Sequence, residues 1–236
     1  MFEFIPFSEG CNYSQNCSDA IETGGTTTDF TVNFEEIENP ECRDMEYVAC
    51  YPICSAGAGY GIPIDIGYEN PFPNSVNYNN MPEHPIFSMG MPSEQHIRNG
   101  SFDPAADIMV SSVQKRKYVE GRPQSLNLSF ARVGSIACFR LHGLKPGCEL
   151  ICGNIDFIDR TNWRNYRCVG RFIYDTYLHM ASRCNDGTFQ VTFLPGESES
   201  IHADENGDMT VFLRLISGAA YKMKLYLETY DDKWYH

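Results

Sequence analysis

The sequence predicts an all-β protein made of two consecutive β-sandwich domains with little helix, residues 1–122 forming the first and 123–236 the second. Three observations carry this. From residue 126 onward apolar residues recur with a period of two, the mark of half-buried strands. Turn signals punctuate those runs: "KPG" at 145–147, "NDG" at 185–187 and "ENG" at 205–207, where Asn, Asp and Gly readily supply positive φ. No stretch sustains a helical period of about 3.6 with capping residues at its ends.

Taken in chain order, "TDFTVNFEEI" places Phe30, Val32 and Phe34 on one strand face, and "MEYVACYPI" alternates Met45, Tyr47, Ala49 and Tyr51. The tract from Gly67 to Pro85 is loaded with Pro and Asn and reads as a loop, because proline lacks the donor a central strand needs. "GSFDPAADIMVS", residues 100–111, follows. Asp103 and Asp107 lie four apart around Pro104, so a metal or acid/base site and a connector between domains are both conceivable. Pro104 biases Asp103 toward extended backbone, and no histidine, cysteine or third acid is placed around the pair by motif. Asp103, Pro104 and Asp107 are therefore expected to form the interdomain connector, with the aspartates capping turns. The basic run Lys115 to Lys117 in "QKRKY" reads as a solvated segment.

The second half supplies about seven strands in roughly 105 residues, the spacing of a β-sandwich. Leu126, Leu128 and Phe130 share one face, followed by "SIACFRL", "CELICGNIDF" and "RFIYDTYL". Phe189, Val191 and Phe193 share another face. Met209, Val211, Leu213 and Leu215 alternate in "DMTVFLRLI"; Tyr221, Met223, Leu225 and Leu227 do so in "YKMKLYLETY", turning Lys222 and Lys224 to water. The closing "LETYDDKWYH" reads as a strand, a turn and the start of another strand. No internal repeat recurs at about 20 to 50 residues.

Composition bounds the function. Hydrophobic residues at 42% and charged ones at 21% are the balance of a globular chain of 236 residues able to bury a core. A net charge of −13 repels phosphate backbones and anionic lipid, so nucleic acid is not expected as a partner. No apolar run reaches the length of about 18 residues that spans a bilayer, so no transmembrane segment is expected. The opening "MFEFIPFSEG" has neither the basic n-region nor the long apolar h-region of a signal peptide, which taken literally reads as cytoplasmic.

The ten cysteines include no C-x-x-C; Cys50/Cys54 and Cys148/Cys152 are C-x-x-x-C, which lacks the paired knuckles of a structural zinc site. Cys138 and Cys152 lie in strand-like runs and are expected as small buried hydrophobes. An even count leaves disulfides open, with no connectivity readable.

Chemistry-bearing motifs are sparse. "GAGYG", residues 57–61, is too short for a dinucleotide fingerprint, and no G-x-S-x-G, H-E-x-x-H or G-x-x-x-x-G-K-[ST] occurs. The six histidines are scattered singly, and His142 reads as a strand-end residue. "DENGD" has Asp204, Asn206 and Asp208 in calcium-loop order, but Met209 and Leu215 occupy the places of the required glycine and bidentate glutamate, so a hairpin turn is expected. No catalytic residue, metal ligand or cofactor site is assigned, and no cofactor is expected.

Two softer possibilities remain. Paired acids such as Asp156/Asp159 or Asp231/Asp232 would suit glycoside hydrolysis only if about 5 to 10 Å apart across a sugar. Tyr60, Tyr68, Phe72, Tyr78, Trp163 and Trp234 are candidate ligand-stacking aromatics, which a surface carbohydrate-binding β-sandwich would use.

The order of features adds a resemblance. Tyr47, Tyr51 and Pro52 in "YVACYP"; Asp103, Pro104, Ala105, Ala106 and Asp107; and Phe130, Arg132, Ile136, Phe139 and Leu141 in "LNLSFARVGSIACFRLHGLKPG" follow one another as in the fimbrillin-like proteins of Bacteroides-type bacteria. The later "GTFQVTFLPGE" and "GDMTVFLRLISGAAYKMKLYLET" look like that family's closing strands, so the resemblance covers roughly residues 28–230. It implies two transthyretin-like (Ig-like) sandwiches in an exported, non-enzymatic pilin whose precursor is a lipoprotein, and a place at the cell surface, in an outer-membrane-associated fimbrium. The implied partners are other fimbrial subunits or further copies of the chain, joined by β-strand addition, and a host or bacterial surface glycan or protein.

Overall fold

The computed structural model describes residues 3–7, 16–17, 44–51, 86–117, 125–158, 168–176, 178–183, 190–216, 222–230 and 234–235. They are all-β with almost no helix. Sixteen strands appear among them: β1 (Glu3–Phe7), β2 (Asn16–Cys17), β3 (Asp44–Tyr51), β4 (Ile86–Met91), β5 (Glu94–Ile97), β6 (Met109–Ser111), β7 (Gln114–Lys117), β8 (Phe130–Arg132), β9 (Ser135–Leu141), β10 (Leu150–Ile158), β11 (Gly170–Asp175), β12 (Met180–Arg183), β13 (Gln190–Pro195), β14 (Met209–Leu215), β15 (Lys222–Thr229) and β16 (Trp234–Tyr235). One 3-10 turn, Pro104–Ala106, lies between β5 and β6. No helix among the described residues is long and apolar enough to cross a membrane.

The backbone groups into two compact units, one of Met1–Cys54 with Ile108–Val133, the other of Ser55–Asp107 with Gly134–His236. In the first, the strands run β2-β1-β3-β6-β8, with β7 also on β3. β3 pairs along one edge with β1 and along the other first with β7, through Tyr47↔Gln114, and then with β6, through Cys50↔Val110. Between those two partners Ser111 completes the edge, its Oγ accepting the Ala49 N–H at 2.8 Å. Tyr47, Val48, Ala49 and Cys50 are all buried, which corrects the half-buried alternation expected there. A strand with partners on both edges and cover on both faces carries apolar residues at every position. β7 holds Lys115, Arg116 and Lys117 exposed, the solvated segment expected there, on a strand. The strand expected from Leu126 begins only at Phe130, where β6 offers the first partner through Ser111↔Phe130.

The second unit holds three sheets, ordered β16-β15-β10-β13-β5, β12-β11-β4 and β14-β9. β10 is the centre of the largest, antiparallel to β15 through Ile155↔Leu225 and to β13 through Ile155↔Val191. Its Ile155 and Phe157, with Val191, Phe193 and Leu227, are buried. Gly153 stands opposite Phe193, and a Cβ at Gly153 would fall inside the Phe193 ring, so glycine is required by close approach. β16 returns on β15 through Glu228↔Trp234, as the closing segment predicts. Met223 is 51% exposed, so the inward stripe of β15 extends only over its second half. β5 joins β13 in parallel through Phe193↔Gln95.

The Phe30–Phe34 segment, the tract 67–85 and "GAGYG" lie outside the described residues, as do Cys11, Cys17's side chain, Cys42, Cys54 and Cys184. Among the described cysteines, Cys138, Cys152 and Cys168 are free thiols. Cys138 is exposed and Cys152 half-buried, which corrects the expectation of two buried thiols. On β9 the inward phase belongs to Ala137, Phe139 and Leu141, so Cys138 points outward with Ile136 and Arg140.

Candidate functional site

The described residues place their polar chemistry in the second unit, where β5, the 3-10 turn and β14 meet. Alternation along β14 predicts Leu215 inward and Arg214 outward. Arg214 is instead 1% exposed and Leu215 only half-buried. The guanidinium is accommodated because several groups receive it. Its Nε donates to the Ala106 carbonyl at 3.4 Å, an Nη lies 3.7 Å from Asp107 Oδ1, and its Cζ stands 5.4 Å from the centre of the Phe102 ring.

The Arg214 backbone is equally engaged. Gln95, fully buried, accepts the Arg214 N–H on Oε1 at 2.9 Å and donates from Nε2 to the Arg214 carbonyl at 2.7 Å. The Gln95 side chain thus does what one residue of a neighbouring strand would do, and it ties β14 to β5. Two positions on, the Ile216 N–H donates to the Cys168 carbonyl at 2.8 Å, which closes the same edge of β14.

Asp103 fixes the turn beneath this cluster. Its Oδ1 accepts the Ala105 N–H at 2.8 Å, a cap on the 3-10 turn, and its Oδ2 accepts the His96 N–H at 2.9 Å, on β5. Asp103 therefore caps a turn, as its sequence context predicts, and Asp107 faces Arg214. Both are buried within the second unit, whose last residue before Ile108 is Asp107.

The opposite edge of β14 carries β9, in the register Arg214↔Ile136 and Phe212↔Cys138. Because Arg214 directs its N–H and C=O to Gln95, the Arg214–Ile136 pair is a non-hydrogen-bonded one, and Ile136 also turns its N–H and C=O away from β14. The two-residue repeat gives Cys138 and Arg140 the same direction. These outward groups have no strand partner among the described residues. Ile136 is 46% exposed beside them.

The other sequence-predicted positions scatter. Asp204 accepts the N–H groups of Asn206 and Asp208 on Oδ1 at 2.8 and 2.9 Å, and these bonds hold its carboxyl below the ordinary carboxylate range. The segment is a turn, but the strands flanking it, β13 and β14, belong to different sheets, so the expected hairpin is corrected to a local Asx-type turn. Gly207 there has φ +77°, and a Cβ would meet the Leu144 carbonyl. His142 follows β9 directly and pairs with Asp208 at 2.8 Å on the surface. Asp156 accepts from Gln190 Nε2 at 2.9 Å on the outer face of β10, beside Thr192 donating to Asn154 Oδ1 at 2.7 Å. Its candidate partner Asp159, the pair Asp231/Asp232, and Tyr60, Tyr68, Phe72, Tyr78 and Trp163 lie outside the described residues; for Trp234 only the strand register is described.

One cluster had no sequence signal. Ser200 Oγ donates to Glu149 Oε1 at 2.6 Å and lies 2.7 Å from His202 Nε2. A nucleophilic serine needs the imidazole as acceptor and the carboxylate behind it. Here the carboxylate contacts the hydroxyl itself and is not shown behind the imidazole, so the three groups are not in the order serine, imidazole, carboxylate. Cys168 is inert because burial pushes its thiol up to about 12. Burial, and then the nearby Glu228 carboxylate, raise Cys152 as well.

No protein-family model matches the chain, and no curated protein is significantly similar to it. Among solved structures, the chain is similar to one from Bacteroides uniformis described as a putative cell adhesion protein, with 9% sequence identity and a TM-score of 0.45 over 100% of this chain and 76% of that one.

Proposed function

We propose that this chain is a non-enzymatic structural or adhesive subunit of a cell-surface fimbria, exported, built of two transthyretin-like sandwiches, and assembled by β-strand addition. The observation that carries the reading is the outer edge of β9. There Ile136, Cys138 and Arg140 present main-chain donors and acceptors with no strand partner among the described residues. Such an edge is a template on which another strand forms a ladder, with main-chain hydrogen bonds supplying the affinity. The fimbrillin-like order of Tyr47, Tyr51, the Asp103–Asp107 segment and Phe130 to Leu141 points the same way.

The test is assembly. Sedimentation over a wide concentration range, with electron microscopy of the heaviest species, is expected to reveal ordered multimers. A chain that stays monomeric, and that captures no strand peptide drawn from its own sequence, contradicts the reading.

A surface carbohydrate-binding role is the second reading. It is supported by the row Tyr226, Asn154 and Thr192 across the outer face of β15, β10 and β13. Glycan binding lost on Tyr226→Ala or Asn154→Ala supports it; a flat response across a glycan array removes it.

A further inference from the structure

We infer that the outer edge of β9 pairs with β9 of a second copy of this chain, antiparallel and centred on Cys138. The inference rests on strand addition as the mode of contact, and it names the strand, the partner and the register; the pairing is two-fold and closed, so it yields a dimer, and growth beyond the dimer uses a second contact.

The hydrogen-bonding phase comes first. Ile136, Cys138 and Arg140 are the residues of β9 whose N–H and C=O groups point away from β14. An antiparallel pairing centred on Cys138 sets Ile136 against the partner copy's position 140 and Cys138 against its own counterpart. All three outward residues of each copy then fall in hydrogen-bonded pairs. Moving the centre by one residue in either direction leaves one outward residue of each copy without a mate.

Charge selects the partner. The chain carries 31 acidic residues and a net charge of −13, so most surfaces of two copies repel one another. Neither "SIACFRL" of β9 nor "MTVFLRL" of β14 contains a carboxylate. The one charge on β9, Arg140, meets Ile136 in this register and never its own counterpart. Its aliphatic stem lies along the exposed Ile136 side chain while the guanidinium stays in water.

Two other edges of the second unit are occupied at particular positions. Gln95 and the Cys168 carbonyl occupy the far edge of β14, and Asp103 takes the His96 N–H on β5. In the first unit β7 carries three consecutive cations, a feature that discourages edge pairing. β9 has no proline, and its side chains 136 and 138 are uncharged.

Position 136 supports a charge test that leaves the monomer intact, since its side chain is exposed and its main chain is not bonded to β14. In sedimentation equilibrium at low salt, Ile136→Lys sets like charges opposite each other twice per dimer and is expected to weaken self-association at least about tenfold. Ile136→Glu sets a carboxylate opposite Arg140 twice and is expected to preserve or tighten it. A short bis-maleimide is expected to join two copies through Cys138, and Cys138→Ser to abolish that product. Circular dichroism checks that each variant stays folded. Equal effects of Lys and Glu, or a cross-linked dimer that survives Cys138→Ser unchanged, overturn the pairing. Multimers indifferent to both position-136 substitutions overturn it too while leaving assembly through another edge standing. A chain monomeric at every concentration, and blind to strand peptides, overturns both.

Discussion

The side chain of Gln95 serves β14 as a one-residue strand: its Oε1 accepts the Arg214 N–H at 2.9 Å and its Nε2 donates to the Arg214 carbonyl at 2.7 Å. Both residues are buried, so water cannot replace either bond. Gln95→Leu keeps comparable volume but leaves a buried amide and carbonyl unpaired, and is expected to cost about 2 to 4 kcal/mol in chemical denaturation. Gln95→Glu keeps one acceptor but loses the donor and buries a charge, so it is expected to cost no less.

Arg214 itself is the second prediction. Its guanidinium meets the Ala106 carbonyl, Asp107 and the Phe102 ring, and Arg214→Ala removes all three contacts and opens a cavity. A loss of about 3 to 5 kcal/mol is expected on thermal or denaturant unfolding. Arg214→Lys is expected to recover little, because an ammonium cannot reproduce the Nε bond in the guanidinium plane.

The third concerns Gly153 and Phe193, which share one register position across β10 and β13. Gly153→Ala drives a methyl into the Phe193 ring and is expected to destabilise by about 1 to 3 kcal/mol. Phe193→Leu alone also destabilises, by leaving space beside the glycine. In the double variant the methyl enters that space, so the two costs are expected to fall short of additive, which a double-mutant cycle measures.

Strand identity was legible wherever alternation met turn residues: β9, β10, β11, β13, β14 and β15 all fall in runs marked by their periodicity. What alternation missed was long-range. "EQHI" looks too polar for a strand, and becomes β5 because Gln95 spends its amide on β14, far along the chain. Arg214 breaks the inward phase of its own strand because the Phe102–Asp107 segment is folded against it. The pair Asp103 and Asp107 was readable as turn chemistry; that the same stretch shelters a buried arginine was not, because nothing local announces an arginine more than 100 residues away. The strand-like run around Cys138 predicts a buried thiol, and only the register with β14 fixes which of its residues face inward.

Thiol reactivity gives a fourth prediction. Cys138 is exposed, whereas Cys168 is buried with its thiol raised to about 12, so at pH 8 less than about one part in a thousand of Cys168 is thiolate. Brief alkylation followed by peptide mass mapping is expected to label Cys138 and spare Cys168 until the chain is denatured.

The fifth is a pH dependence. The carboxyl of Asp204 is held below its ordinary value of 3.8 by the N–H groups of Asp208 and Asn206. A group whose folded value is depressed contributes stability that is fully present above its unfolded value and is lost as pH falls through its folded value. NMR titration is expected to place the Asp204 midpoint below 3.8, and Asp204→Ala to reduce stability at pH 7 while leaving little difference from the parent at the acid end.

The central claim is that β9 offers an edge with no strand partner among the described residues, at which a second copy pairs. Amide-resolved hydrogen exchange tests it most directly. In dilute monomer the N–H groups of Ile136, Cys138 and Arg140 are expected to exchange rapidly while those of Ala137 and Phe139, bonded to β14, are protected; on assembly the first three are expected to become protected as well. Protection of Ile136, Cys138 and Arg140 already in the monomer, or their continued rapid exchange in assembled material, would contradict the account.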